Sequence, residues 1–398
     1  MGFYLKSKEK KDCYSCNACI SACPKKCIRM IKDKKSGYYY PKIDKSKCIR
    51  CGKCKKICIN NNPDELKEEI KKSFILFRKS EEKRKTSASG GISSLLMEYV
   101  INQNGIVYGV KYDKNINVIH SRATTLEECE NFKTSKYLKR YNINIYKEVL
   151  KDLENNKIVL FTGIPCEIAS MKRIIPLNLQ KKLILCEIMC DSTASPLLFK
   201  KLKKEIETKY NSKITKMNFR SKEIKNSKRT MKICLENGKE LLLSSKKNNL
   251  YAKYMFIFGN GLSAPYSCQY CKFEDIDKRI ADLTLGDYNG NKKFFKNIKD
   301  KSILLISTKK GIEIFNNAIK EKVNYLEVKP LEALEKNHIK PKKNIFHKNE
   351  FMEDLYKYDF NELSKKYIEK YKYRRIIGKI FPKNIKEYIK ERLCNYDK

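Results

Sequence analysis

The sequence predicts two fold classes in succession, a small α+β segment and then a larger α/β domain that ends in a helical tail. Three observations support this prediction. Cysteines repeat at a fixed spacing within residues 13–58, strand-like and helix-like runs alternate from about residue 84, and a lysine-rich helical pattern follows residue 326. Alternating strands and helices are typical of a partly parallel sheet covered by helices.

The cysteine spacing C-x2-C-x2-C-x3-C occurs twice. The copies are Cys13, Cys16, Cys19 and Cys23, then Cys48, Cys51, Cys54 and Cys58. In bacterial ferredoxins such a run binds 4Fe-4S clusters, and its fourth cysteine ligates the other cluster. The spacing therefore predicts a ferredoxin-like two-cluster domain in residues 1–62. The first cluster would use Cys13, Cys16, Cys19 and Cys58, and the second Cys48, Cys51, Cys54 and Cys23. Cys27 is left without a role.

Structural zinc is the alternative for these cysteines, but it would leave the third cysteine of each triplet unused. Pro24 follows the first copy as the ferredoxin run expects, whereas Ile59 follows the second. Disulfides are typical of secreted chains. The first residues have neither the apolar core nor the cleavage site of a signal peptide, so we expect a cytoplasmic protein.

The composition suits two or three domains, with 398 residues and a formal net charge of +41. Nucleic-acid binding is not expected, because the lysines are spread along the chain and no nucleic-acid-binding motif accompanies them. The charge instead favours acidic redox partners. No apolar stretch is long enough to predict a membrane span.

The predicted strands and helices show where these motifs lie along the chain. Residues 28–31 and 38–40 form a hairpin in the first domain, and residues 64–72 form a charged helix in a linker of residues 63–83. Strands are predicted at 105–110, 157–161, 182–189 and 303–307, with an apparent strand at 254–258; helices are predicted at 92–102, 145–154 and 311–319. Residues 230–235 and 239–243 form an inserted hairpin.

A second cysteine set is scattered along the α/β part. Cys166 follows a strand through a Gly-Ile-Pro turn, Cys190 closes the next strand, and Cys268 and Cys271 form a C-x2-C pair in a loop. Ligands of open α/β sheets bind at the carboxyl ends of the strands, so these four cysteines could meet at a third cluster. By spacing alone, buried structural cysteines, zinc or a redox-active pair remain alternatives.

Motifs throughout the chain resemble those of the coenzyme F420 hydrogenase/dehydrogenase beta subunit family. They occur, in the order of that family, at residues 84–91, 135–137, 162–166, 190–196, 267–271 and 279–287. The resemblance implies an FAD-containing flavin and iron-sulfur domain over residues 84–325, with residues 326–398 as a helical packing tail. It also implies that Cys166, Cys190, Cys268 and Cys271 ligate a third 4Fe-4S cluster.

Flavin contacts follow from the same resemblance. The amides of Ser89, Gly90 and Gly91 could approach phosphate at a helix start, although an ordinary helix cap is the alternative. Lys136 could neutralise a pyrophosphate, and Arg279 could do the same or pair with Asp282. The remaining implied contacts are Tyr137 and Asp287, and Asp287 could equally be a turn residue.

The chain departs from the family pattern near these motifs. Ile164 replaces Thr, Glu167 replaces Gln, Lys139 and Arg140 replace a Gln-Ser pair, and Asn289 replaces a common Trp. Residues 191–194 read Asp-Ser-Thr-Ala where the family has His-Gly-Val-Pro. The cysteines are unaffected, so these changes concern the surface that faces the hydride acceptor.

The leading hypothesis is an FAD-dependent oxidoreductase in which the cofactors carry the chemistry and no side-chain nucleophile is needed. Electrons would pass between the clusters and FAD, and FAD would exchange a hydride with a deazaflavin-like or other small organic acceptor. Partners would be ferredoxin or other subunits of a redox complex. The alternatives are a non-catalytic electron-transfer subunit of a larger redox complex and a basic scaffold that uses iron-sulfur folds structurally.

Overall fold

The computed structural model of the protein describes residues 2–380 except 141–143, 225–229, 291–293 and 335–344, and it describes side chains as far as residue 372. Within these ranges a cysteine-rich segment precedes an eight-stranded sheet, a three-stranded sheet and a group of C-terminal helices. The predicted combination of an α+β segment, a mixed α/β domain and a helical C-terminal stretch is confirmed.

The cysteine-rich segment is a β-hairpin with three helical turns. Its elements are α1 Tyr4–Ser7, α2 Ala18–Ser21, β1 Ile28–Lys32, β2 Tyr39–Ile43 and α3 Lys53–Lys56. The two strands are antiparallel with Met30 opposite Pro41, as the sequence predicts. Gly37 has a φ of 75°, and a Cβ atom there would lie 2.7 Å from the backbone nitrogen of Leu197. The hairpin turn therefore packs closely against the following domain.

The remaining strands form one large sheet, a small sheet and a short ribbon. They are β3 Glu68–Glu69, β4 Lys72–Arg78, β5 Ile106–Tyr112, β6 Val118–Ala123, β7 Val159–Gly163, β8 Leu183–Ile188, β9 Ile214–Ser221, β10 Thr230–Leu235, β11 Glu240–Ser244, β12 Lys278–Arg279, β13 Leu283–Asp287, β14 Ser302–Ile306 and β15 Val323–Glu327. The large sheet has the order β15-β4-β14-β13-β8-β7-β5-β6, and β13, β8, β7 and β5 are parallel. The small sheet has the order β11-β10-β9.

Helices cover both faces of the large sheet. The further helices are α4 Glu81–Lys85, α5 Ile92–Ile101, α6 Leu126–Glu130, α7 Ile145–Glu154, α8 Pro165–Ile174, α9 Pro196–Tyr210, α10 Leu250–Gly259, α11 Lys309–Ile314, α12 Pro330–Leu334, α13 Lys348–Lys357 and α14 Phe360–Ile380. Side chains of β7 alternate between the faces: Leu160 packs in the core beneath α5, whereas Phe161 packs in the core beneath α7 and α8.

Two predicted elements are wrong. Residues 64–72 are not one helix: a 3-10 turn at Pro63–Leu66 is followed by β3, whose backbone pairs with β12, and β4 begins at Lys72. The next strand, β4, is fully buried from Ser73 to Phe77 inside the large sheet. The apparent strand at 254–258 lies within α10, whose buried Tyr251 and Tyr254 recur at helical spacing.

The C-terminal helices pack against α9, α10 and the small sheet. Phe351, Leu355, Leu363 and Tyr367 are all fully buried in that core. The Tyr367 hydroxyl donates a hydrogen bond of 2.8 Å to Asp354, which fixes α14 against α13. In the part of the chain that the structure describes, none of the helices combines the length and the apolar character that crossing a bilayer requires.

Candidate iron-sulfur and flavin sites

The first predicted ligand set shares one cavity. Cys13, Cys16, Cys19 and Cys58 all line a space of about 410 Å³ that is partly open to solvent. Burial raises the pKa of the Cys13 and Cys19 thiols, and the charges of neighbouring thiolates raise it further. Burial likewise raises the pKa of Cys58 to about 11, and Cys16 adds to the effect. Thiols that are this difficult to ionise together fit a cationic cluster, whose charge would offset their repulsion.

The backbone repeats its conformation in the two cysteine copies. Ser15 and Arg50 occupy equivalent positions and both have a φ of 53°. Asn17 and Gly52 are also equivalent, with φ values of 67° and 72°, and each precedes a single helical turn. Left-handed residues turn successive backbone N–H groups toward one side, and the Ser15 N–H lies 3.4 Å from the Cys13 sulfur. The two copies therefore share a backbone turn as well as a cysteine spacing.

The second predicted set lies nearer the surface. Charges at Cys48 and Cys23 contribute to the raised pKa of Cys54, behind burial as the main cause, and Cys51 is exposed. Cys27, which the spacing left without a role, is buried with its sulfur 3.4 Å from that of Cys23. It is therefore a neighbour of this set, a placement that the spacing alone did not predict.

The third set gathers at the carboxyl ends of β7 and β8. Cys166 lies in the first turn of α8, directly after β7, and Cys190 follows β8. Cys268 and Cys271 lie in and just after the 3-10 turn Tyr266–Tyr270. Burial raises the pKa of Cys190, and the charges of Cys268, Cys166 and Cys271 raise it further.

No three Cys, His, Asp or Glu side chains surround a point that a single metal ion could occupy, within the ranges that the structure describes. The half-buried thiols of the third set nonetheless fit a cluster for the same electrostatic reason as the first set. Burial raises the pKa of Cys166 to about 12, with the Lys139 ammonium opposing that shift.

The first and third cysteine sets are joined through aromatic side chains. The buried Tyr14 lies between Cys13 and Cys16 in sequence, and its hydroxyl accepts a hydrogen bond of 3.2 Å from the Lys272 N–H, next to Cys271. Tyr146 of α7 donates a hydrogen bond of 2.5 Å to the carbonyl of Cys16. The first set thus faces the sheet domain.

The glycine turn before α5 packs on the sheet. Ser89 donates a hydrogen bond of 2.7 Å to the Lys301 carbonyl, and the Gly90 N–H donates one of 3.0 Å to the Ser302 hydroxyl. A Cβ atom on Gly90 would lie 2.9 Å from the Leu76 carbonyl oxygen. Gly91, with a φ of 83°, precedes the first residue of α5. Ser89 and Gly90 therefore pack closely against β4 and the start of β14, and Gly91 is the N-cap residue of α5.

Arg220 of β9 brings three of the family motifs together. Its guanidinium donates hydrogen bonds of 3.0 Å to the Tyr137 hydroxyl, 2.7 Å to the Asp287 carboxylate and 3.1 Å to the Ala88 carbonyl. Tyr137 and Asp287 are flavin contacts that the family resemblance implies, whereas Arg220 was not among the residues predicted from sequence. The sequence around Arg220 does not single it out, because its hydrogen-bond partners lie in three segments that are distant along the chain.

The other predicted flavin contacts lie elsewhere. Arg279, 2% exposed, pairs with Glu187 and donates a hydrogen bond of 3.2 Å to the Asp275 carbonyl. Asp282 accepts hydrogen bonds from the Leu185 N–H at 2.9 Å and the Thr308 hydroxyl at 2.7 Å. The suggested pairing of Arg279 with Asp282 is therefore wrong, because the two side chains enter different networks.

Lys136 is half-buried and turned toward its own loop. Its ammonium donates hydrogen bonds of 2.8 Å to the Lys133 carbonyl and 3.4 Å to the Thr134 carbonyl. Burial lowers its pKa to about 7. Of the predicted flavin contacts, the structure thus brings Tyr137 and Asp287 into one hydrogen-bond network. Lys136 adjoins Tyr137 in sequence but has separate hydrogen-bond partners.

Two family models match the chain. Residues 12–62 match the 4Fe-4S dicluster domain, and residues 156–333 match the C terminus of the coenzyme F420 hydrogenase/dehydrogenase beta subunit. Residues 156–333 are therefore similar to the C-terminal domain of this family. The sequence resemblance and the iron-sulfur prediction for the first domain are confirmed, and the match supports an oxidoreductase.

The chain is also similar to a solved structure, the xenon-derivatised F420-reducing NiFe hydrogenase complex from Methanosarcina barkeri. The identity is 19%, the match covers 76% of this chain and 92% of that one, and the TM-score is 0.44. No curated protein sequence matches the chain.

Proposed function

We propose that this protein is an iron-sulfur flavoprotein oxidoreductase that passes electrons between its ferredoxin-type clusters and FAD. The observation that carries the proposal is the placement of the cysteines, with one set near the surface, one facing the sheet domain and one at the carboxyl ends of β7 and β8. A third cluster at this last position would be ligated by Cys166, Cys190, Cys268 and Cys271. Bound FAD would supply the exchange between single electrons and a hydride.

The contacts around Tyr14 and Tyr146 keep the first cysteine set next to the third. Charge at Cys16 adds to the raised pKa of Cys166, so the two sets are close enough to interact electrostatically. The buried Tyr14 lies 5.3 Å from Phe273, measured between ring centroids. This ring contact joins the segments that carry the two sets and so supports transfer of electrons between them rather than two independent structural sites.

The surface around the second set suits an acidic partner. Cys51 is exposed and Ile49 beside it is 57% exposed. Exposed cations surround them at Lys45, Lys47, Arg50, Lys53, Lys55 and Lys56. A positive surface around an accessible cluster would attract an electron carrier with an acidic face, such as a ferredoxin or another subunit of a redox complex. We infer that electrons enter or leave here.

The region around Arg220 is the proposed flavin contact. Arg220 and Lys222 both project from the end of β9 toward the segment that contains Ala88 and Ser89, and the Lys222 ammonium lies 3.4 Å from the Ser89 carbonyl oxygen. Two cations beside the half-exposed Asp287 and the Tyr137 hydroxyl offer charge and hydrogen bonds to a dinucleotide. The acceptor of the hydride is proposed to be a deazaflavin-like or other small organic molecule.

Anaerobically purified protein tests the proposed function. Because each cluster has four irons and four cysteine ligands, we expect about twelve irons per chain together with bound FAD. Reduced ferredoxin should then bleach the flavin absorbance. A preparation with about eight irons and no flavin would contradict the enzyme and favour an electron-transfer subunit with two clusters.

Arg220→Met should weaken flavin binding about tenfold or more, since it removes a cation that would donate charged hydrogen bonds to FAD, each contributing about 1.5–3 kcal/mol. Flavin retained after gel filtration and the affinity of the stripped protein for FAD measure this. Lys216→Met is the matched control, because Lys216 is an exposed cation on the same strand. Iron content should stay unchanged in both variants. Equal FAD affinity in the two variants would refute the assignment of Arg220.

A further inference from the structure

A buried group of three ions lies beside the third cysteine set. Glu167 is 4% exposed and lies one residue after Cys166. Its carboxylate is 3.7 Å from the Lys139 ammonium, pairs closely with Arg140, and accepts a hydrogen bond of 3.0 Å from the Ile164 N–H. These residues include four of the positions at which the sequence departs from the family pattern, Lys139, Arg140, Ile164 and Glu167, and the other three each contact Glu167.

Lys139 makes its shortest side-chain contact with sulfur. Its ammonium donates a hydrogen bond of 3.5 Å to the thiol of Cys166, whereas its distance to Glu167 exceeds normal hydrogen-bond length. The Lys139 N–H donates a hydrogen bond of 3.1 Å to the carbonyl of Ala194, four residues after Cys190. The ammonium and the backbone N–H of Lys139 therefore both contact segments that carry third-set cysteines.

The charges of these three side chains do not sum to zero. Lys139 and Arg140 contribute two positive charges and Glu167 one negative charge, which leaves one positive charge. The side chains of these residues are only 5%, 10% and 6% exposed. Charges shielded from water act more strongly on their neighbours than surface charges do. Because Arg140 and the Ile164 N–H engage one oxygen of Glu167, the Lys139 ammonium keeps its influence on Cys166.

We propose that Lys139 tunes the third cluster by raising its reduction potential, and that Glu167 and Arg140 keep it in position. The inference rests on the third cluster of the proposed function. Reduction adds one electron to the cluster, so a cation against a ligand sulfur stabilises the reduced form more than the oxidised form. Net charge and hydrogen bonds to sulfur are the general determinants of cluster potentials. A raised potential would draw electrons inward from the first cysteine set.

Redox titration of the complete chain followed by electron paramagnetic resonance tests this proposal. In Lys139→Met the third cluster should be about tenfold harder to reduce, equivalent to about 59 mV for a one-electron couple. Glu167→Gln should shift the same potential in the opposite direction, since it removes a negative charge. The potentials of the two ferredoxin-type clusters should change little, and Lys139→Arg should restore most of the original value.

Opposite shifts separate electrostatic tuning from a packing role, because damage to the packing would not follow the sign of the charge removed. Lys147→Met is the control, since it removes an equal charge from an exposed position on α7. Loss of the third cluster in Lys139→Met, shifts of the same sign in both variants, or no shift beyond that of Lys147→Met would overturn the proposal. An unaltered chain with only about eight irons would instead refute the proposed third cluster itself.

Discussion

Cys268→Ser is expected to remove one cluster and lower the iron content from about twelve to about eight per chain. Cys268 is half-buried, and its charge is among the causes of the raised pKa of both Cys190 and Cys271. Serine is a much poorer ligand for iron than a thiolate, because soft sulfur ligands select iron-sulfur clusters. Iron analysis and low-temperature electron paramagnetic resonance of the anaerobic protein measure the result.

The two ferredoxin-type signals should remain intact in Cys268→Ser, because the first and second cysteine sets do not share a ligand with the third. Cys234→Ser is the matched control. Cys234 is a half-buried residue of β10, where its thiol lies 3.5 Å from Glu240 and no third-set cysteine acts on its pKa. Iron content that stays the same in both variants would rule out Cys268 as a ligand.

The cysteine sites were largely predictable from sequence because a cluster-binding turn is local. Two-residue gaps fix which sulfurs can face one side of the chain, and left-handed residues such as Asn17 and Gly52 occur at matching places in each copy. The position of Cys166 and Cys190 also followed from a local feature, since each directly follows a buried strand of a parallel sheet.

The surroundings of the residues implied as flavin contacts were less predictable, because they depend on distant segments. Ser89 and Gly90 form a recognisable turn, yet their hydrogen bonds go to residues 301 and 302, more than two hundred positions away. Lys136 stands beside Tyr137 in sequence, but only Tyr137 reaches Arg220. Local spacing cannot specify such partners, because they depend on how β9 and β14 pack around the turn.

Arg279→Leu should destabilise the fold by about 3–5 kcal/mol, the usual cost of removing one partner of a buried ion pair. Arg279 and Glu187 are 2% and 0% exposed, and they join β12 to β8. Without Arg279, the carboxylate of Glu187 would remain buried with no cation against it. Burial also lowers the pKa of Arg279 to about 10, so this environment already disfavours unpaired charge. The midpoint of chemical unfolding, measured anaerobically, gives the change.

Glu187→Gln added to Arg279→Leu should recover part of that loss, because it removes the unpaired charge while keeping the side-chain volume. Arg122→Leu provides the control: Arg122 also pairs with a carboxylate, that of Asp152, but is 42% exposed, and surface pairs contribute about 0–1 kcal/mol. Equal destabilisation by Arg279→Leu and Arg122→Leu would contradict the buried-pair explanation. A loss of FAD binding in Arg279→Leu without a loss of stability would return Arg279 to the flavin contacts that the family resemblance implies.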